Sequence, residues 1–191
     1  MYQAYQKSYT ISMKFLSKTA VFKNQWVQVY AKKYRLTNGK EDDFFVIGDG
    51  HAVVSILAID ENNTVLLIQQ YRWAIGAETI NLPGGNVEDD EEPLAAAKRE
   101  LTEETGFTAE KWQLLCKNYL DSGQKDCIHY IYLATLLEHQ NSEQITENSE
   151  PIVLLKVDIE ELANTIYDLN NITESALALG IAAYKFQITK S

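Results

Sequence analysis

The sequence predicts an α/β or α+β fold, with helices layered on a sheet and a small antiparallel β region at the N-terminus. Three observations carry this. Two strongly apolar, strand-like runs, His51 to Ile59 and Thr64 to Gln70, flank the turn cluster Asp60-Glu-Asn-Asn63. A helix is signalled from Pro93 through Glu104, where good helix formers follow a proline at a first helical position. Asn38-Gly39, between runs rich in Val, Tyr and Phe, is a hairpin signal. Strands interleaved with a few helices must bury their apolar faces on one another, which gives the layered class.

Taken in order, residues 1–17 are weakly patterned and read as a loose arm or a strand bound to a partner. Thr19 to Leu36 favours strands, and Asp42 to Gly48 reads as the returning strand after the hairpin. A sheet confined to residues 18–48 is marginal alone, so it must pack on the rest of the chain or on a second subunit. Tyr71 to Thr79 reads as a loop, and Ile80 to Leu82 as a short strand entering Pro83-Gly84-Gly85. In the helix that follows, Leu94, Ala97 and Leu101 recur at helical spacing and are expected to face a core. Gly106 suits the left-handed residue that ends it. Strands follow at Trp112 to Tyr119, Ile128 to Leu136 and Ile152 to Val157, with an acidic loop over 138–150. Asp158 reads as the N-cap of a helix over about 159–168, and Thr173 as the N-cap of a last helix over about 174–187.

The other face of the Pro93 helix carries chemistry. Glu100, Glu103 and Glu104 lie three and four residues apart and crowd on one side. Like charges at that spacing destabilise a bare helix by roughly 0.2–0.5 kcal/mol per pair, and Arg99 offsets only part of it. Two readings fit: an ordinary solvated acidic face, or carboxylates gathered for a hard divalent cation, with magnesium the usual ion when a substrate brings phosphates.

Composition bounds the partners. A formal net charge of −10 argues against nucleic acid and against an anionic membrane surface. Cys116 and Cys127 match neither a zinc site nor a disulfide framework and read as free thiols of a reducing cytoplasm. The N-terminal segment lacks the apolar centre of a signal peptide, and no run is long enough to span a bilayer. His51, His129 and His139 have no spacing that suggests a metal or a relay, and they read as structural.

The stretch Gly85 to Phe107 reads G-x5-E-x7-R-E-L-x-E-E-x-G-F, with Gly85, Glu91, Arg99, Glu100, Leu101, Glu103, Glu104, Gly106 and Phe107 in its fixed and apolar positions. It resembles the Nudix box. The resemblance implies the Nudix fold, a mixed β-sheet sandwiched between helices, as a domain over residues 51–191. It implies a hydrolase that depends on Mg²⁺, with Mn²⁺ as an alternative, and that cuts a nucleoside diphosphate linked to another group. Glu100 and Glu104 then look like the main metal ligands, with Glu103 as a further ligand or water contact, and the Gly84 carbonyl as a backbone ligand. Glu91 and Arg99 look like the pair that braces loop against helix, and Gly85 adjoins the substrate. The 18–48 hairpin, within an N-terminal β region over residues 1–50, resembles the N-terminal sheet of ADP-ribose pyrophosphatases, which joins two subunits, so a homodimer is expected.

Outside the box, Arg72 in Gln69-Gln-Tyr-Arg72 resembles a segment that lies near the substrate in ADP-ribose and nucleotide-sugar hydrolases. Arginine suits bidentate phosphate contact, and a structural salt bridge is the competing reading. Trp26 is a candidate for base stacking against ordinary packing, and Arg35 for substrate contact against a structural role. Two positions depart from the ADP-ribose pattern. Asn81 stands two residues before the proline, where a glutamate is usual, and Cys127 falls where a water-activating glutamate is expected. Asp126, Glu103, Glu147 and Glu150 are the alternatives for activating water. The departures leave open a second class, a Nudix-fold nucleotide-binding or regulatory module that has lost catalysis.

Overall fold

The structure, a computed structural model, describes residues 13–48, 50–140, 152–168 and 171–188. The 1–12 part of the N-terminal arm, most of the acidic 138–150 loop, and with it Glu147 and Glu150, lie outside the described residues. The chain forms two compact units, one of Met1–Gly50 with Leu120–Cys127, the other of His51–Tyr119 with Ile128–Ser191.

The first unit is an antiparallel sheet of β1 (Lys14–Lys23), β2 (Gln28–Arg35) and β3 (Glu41–Ile47), in that spatial order. Residues 14–17, expected in the arm, thus belong to β1. The β2–β3 turn uses the predicted pair. Gly39 has φ of +80°, and the Asn38 side-chain oxygen accepts from the Lys40 N–H at 3.0 Å. Phe15, Tyr34 and Phe44 meet edge to face with centroids 5.6 and 5.8 Å apart. The segment 120–127 extends this unit. The Ile47 N–H donates to the Gln124 carbonyl at 2.7 Å, and Lys32 pairs with Asp126.

The second unit is built on a six-stranded mixed sheet. Its strands are β4 (Ala52–Ile59), β5 (Thr64–Arg72), β6 (Ala77–Asn81), β7 (Phe107–Tyr119), β8 (Ile128–His139) and β9 (Val153–Asp158). Central β4 and β8 run parallel, and the other pairings are antiparallel. Three helices complete it: α1 (Pro93–Thr105), α2 (Leu162–Tyr167) and α3 (Ser175–Ile188). The continuous apolar run of β4 follows from burial on both faces. Leu57 and Ile59 join Leu162, Leu177 and Ile181 in one cluster, whereas Val54, Ile56 and Ala58 join Ala96, Ala97 and Leu101 in another. Each fully buried Leu or Ile contributes about 1.5–3 kcal/mol.

Several expected boundaries shift. β5 continues through Arg72, because Tyr71 and Arg72 pair with Glu78 and Ala77 of β6. Leu94 is 37% exposed, whereas Ala97 and Leu101 are fully buried; it lies in the first helical turn and packs in neither core cluster. Asp158 ends β9 and its carboxylate accepts from the Glu160 N–H at 2.8 Å, so it shapes a turn and the helix starts only at Leu162. Thr173 is drawn into a parallel bridge with Ile80, and α3 begins at Ser175.

Candidate active site

The Pro83–Val87 loop is stitched along β4. Ile56 and Val54 donate to the carbonyls of Pro83 and Gly85 at 2.8 and 2.9 Å, and Val87 donates to Ala52 at 3.0 Å. Only glycine fits at its centre: a Cβ on Gly84 (φ +156°) would lie 2.1 Å from the Val54 carbonyl oxygen. A Cβ on Gly85 would lie 2.3 Å from Glu100 Oε1, so this backbone presses directly against that carboxylate.

Pro93 opens α1 and Gly106, at φ +73°, closes it with an N–H donated to the Thr102 carbonyl at 2.9 Å. Arg99 ties the loop to the helix. Its Nε and Nη2 donate to the two oxygens of Glu91 at 3.1 Å each, and Nη2 reaches the Asn86 carbonyl at 2.9 Å. Its Nη1 donates to Glu100 at 2.8 Å and to Glu103 at 3.2 Å. The Arg99 hydrogen bonds, helped by the Glu88 N–H, hold the Glu91 carboxyl below its ordinary pKa.

Glu104 is in a different state. Burial pushes its carboxyl from an ordinary 4.5 up to about 8. The Gly84 N–H, donating to Oε2 at 2.7 Å, opposes that rise, Glu100 adds to it, Arg72 opposes it and Glu103 adds to it. A carboxyl so poised in a cluster of acids is a candidate functional group.

Arg72 is held from two sides. Its Nε and Nη2 both reach Oε1 of Glu174, at 2.8 and 2.7 Å, and Thr79 Oγ1 donates to the same oxygen at 3.4 Å. In the amide orientation that satisfies both groups, the Gln70 side-chain oxygen accepts from Nη2 at 2.9 Å. Glu174 was not among the residues singled out from the sequence, because no local spacing ties it to a position 102 residues away. The one available signal is that a chain with few arginines must pair each of them.

The structure thus brings Gly84, Gly85, Glu91, Arg99, Glu100, Glu103, Glu104 and Gly106 together on one loop and helix, with the Arg72 charge felt at Glu104. Three other candidates belong to the first unit. Trp26 is 80% exposed in the β1–β2 turn, Arg35 pairs across strands with Glu41 at 2.8 Å, and Asp126 pairs with Lys32. His129 is buried with Nε2 3.0 Å from Ser55 Oγ, and Asn81 Oδ1 is buried with no hydrogen-bond partner among the described residues. Burial raises the Cys127 thiol above its ordinary pKa, which weakens it as a base or nucleophile.

A sequence model described as the NUDIX domain matches residues 49–176. The chain belongs to the Nudix hydrolase family. It is 27% identical over 152 residues to an ADP-ribose pyrophosphatase of Bacillus subtilis, covering 80% of this chain and 82% of that one. It is 26% identical over 141 residues to a methanol dehydrogenase activator of Bacillus methanolicus, covering 74% and 76%. A crystal structure of an ADP compounds hydrolase superposes with a TM-score of 0.80 at 18% identity, covering 93% of this chain and 95% of that chain, and shares the fold.

Nudix hydrolases generally use divalent cations. Among the described residues no three His, Cys, Asp or Glu side chains are gathered so as to hold a metal ion by themselves. An open set of oxygen donors is nonetheless what magnesium uses when a substrate's phosphates complete its shell, with one or two carboxylates from the protein. Burial first, and then the Glu100 and Glu103 charges, disfavour the ionised Glu104 carboxylate, and a cation bound at these acids would offset that cost.

Proposed function

We propose that the protein hydrolyses the pyrophosphate of a nucleoside diphosphate sugar, with ADP-ribose the leading substrate, to a nucleoside monophosphate and a sugar phosphate. The observation that carries this reading is the acidic face of α1, where Arg99 bonds Glu100 and Glu103 and the Gly84 N–H bonds Glu104, within the residues that match the NUDIX domain. Supporting it are the ADP-ribose pyrophosphatase relative and the Arg72 charge acting on Glu104.

Glu100, Glu104 and the Gly84 carbonyl, with Glu103, would hold Mg²⁺ or Mn²⁺, which when bound supplies a Lewis acid for a phosphoryl oxygen and an acidified water. Arg99 keeps Glu100 and Glu103 in register with the loop, so their geometry is set before substrate arrives. Arg72 offers its guanidinium to the diphosphate. Glu103 is our choice for taking the proton of the attacking water. The test is a nucleotide-sugar panel with product identification, with and without EDTA. We expect turnover of ADP-ribose with Mg²⁺ and its loss on chelation; no hydrolysis of any member with either metal rejects the reading.

The first unit is proposed to join two subunits. Its strands expose Phe15, Phe22, Phe44 and Phe45, with Phe44 and Phe45 on opposite faces of β3, more bare aromatic area than a free sheet usually shows. Light scattering at micromolar concentration should give a dimer mass, and Phe45→Lys should give a monomer. A monomeric wild type contradicts the assignment.

A further inference from the structure

We infer that Glu174 is a positioning residue for substrate phosphate, acting through Arg72. This rests on the reading of Arg72 as the diphosphate contact. Arginine carries about 2 kcal/mol of side-chain rotamer entropy, so a guanidinium that must meet a phosphate in a fixed orientation gains from being locked beforehand. Glu174 locks it by one edge: Nε and Nη2 converge on a single carboxylate oxygen, at 2.8 and 2.7 Å. With the Gln70 amide turned to the orientation that satisfies both groups, its oxygen lies 2.9 Å from Nη2 and 3.3 Å from Nη1. The Arg72 side chain remains 41% exposed.

Glu174 is itself rigidly placed. The residues before α3 run alongside β6: the Ile80 N–H donates to the Ile172 carbonyl at 2.9 Å, and the Glu174 N–H to the Ile80 carbonyl at 3.4 Å. Thr79 Oγ1 donates to the same oxygen that holds Arg72. The C-terminal segment therefore fixes a carboxylate, that carboxylate fixes a guanidinium, and the guanidinium's charge acts on Glu104.

The test is a double-mutant cycle on ADP-ribose hydrolysis with Mg²⁺, using Arg72→Ala, Glu174→Ala and the double variant. Thermal melts follow each, and Glu174→Gln serves as the variant that keeps shape and an acceptor oxygen. We expect Glu174→Ala to raise KM about tenfold with a smaller change in kcat. In the Arg72→Ala background the same change should have almost no further effect on KM. Glu174→Gln should recover part of the loss. Additive effects on KM overturn the proposal and leave Glu174 a structural partner. A fall in KM on Glu174→Ala also overturns it, since the carboxylate would then compete with phosphate. An unchanged KM in Arg72→Ala alone instead removes the underlying reading of Arg72, and is distinguishable from both.

Discussion

Glu104→Gln should lower hydrolysis by about 10³-fold, the order associated with losing one preorganised electrostatic contact at a reacting phosphoryl group. The same change should raise the melting temperature of the metal-free protein at alkaline pH. The reason is the environment of the carboxyl, whose pKa moves from an ordinary 4.5 to about 8 in the folded protein. Between those values the folded chain holds a proton that the unfolded chain releases. Stability therefore falls as pH rises through that window, and the full penalty is present above it. A neutral amide at position 104 carries no such penalty and still offers an oxygen to the Gly84 N–H. Each kcal/mol recovered raises the melting temperature by about 2–4 °C. Magnesium should stabilise the wild type most where the carboxyl is ionised, and stabilise the variant little. Melts in EDTA and in magnesium across pH 5–9 check this. A variant less stable than wild type in EDTA at pH 8.5 contradicts it.

Gly84→Ala should be the most damaging small substitution to stability, costing about 3 kcal/mol in a urea titration. The added methyl would meet the Val54 carbonyl oxygen at 2.1 Å and the Ser55 Cα at 2.8 Å. Both are backbone atoms of β4, and no rotamer change relieves the clash. Gly85→Ala makes an instructive contrast. The atoms nearest its methyl are all at the end of the Glu100 side chain, whose displacement breaks the pair with Arg99 rather than moving backbone. Stability should change by less than about 1 kcal/mol, while kcat/KM falls because Glu100 leaves its place beside Arg99. Equal stability losses in the two variants would contradict this account of the loop.

The box was legible nearly residue by residue because its constraints are local: a proline that starts a helix, a glycine that ends it, acids at helical spacing. The same holds for the Asn38-Gly39 turn and for the β4 and β5 runs. What escaped the sequence is long-range. The Arg72–Glu174 and Lys32–Asp126 pairs join positions 102 and 94 residues apart, and nothing near either partner announces the other. The starts of α2 and α3 were misplaced because Asp158 and Thr173, good capping residues in isolation, are drawn into a β9 turn and a bridge to β6. Tertiary pairing outweighed a capping preference of about 1 kcal/mol.

The hydrogen bonds between β3 and the Gln124–Asp126 turn have a practical consequence for anyone trimming this protein. A shortened form beginning at residue 51 would not be a clean catalytic fragment. It would retain the excursion between β7 and β8, now carrying backbone groups and an acid at 126 whose partners had been cut away. Such a tongue, stripped of its sheet, seeks new strands to pair with, and the fragment should clump rather than work.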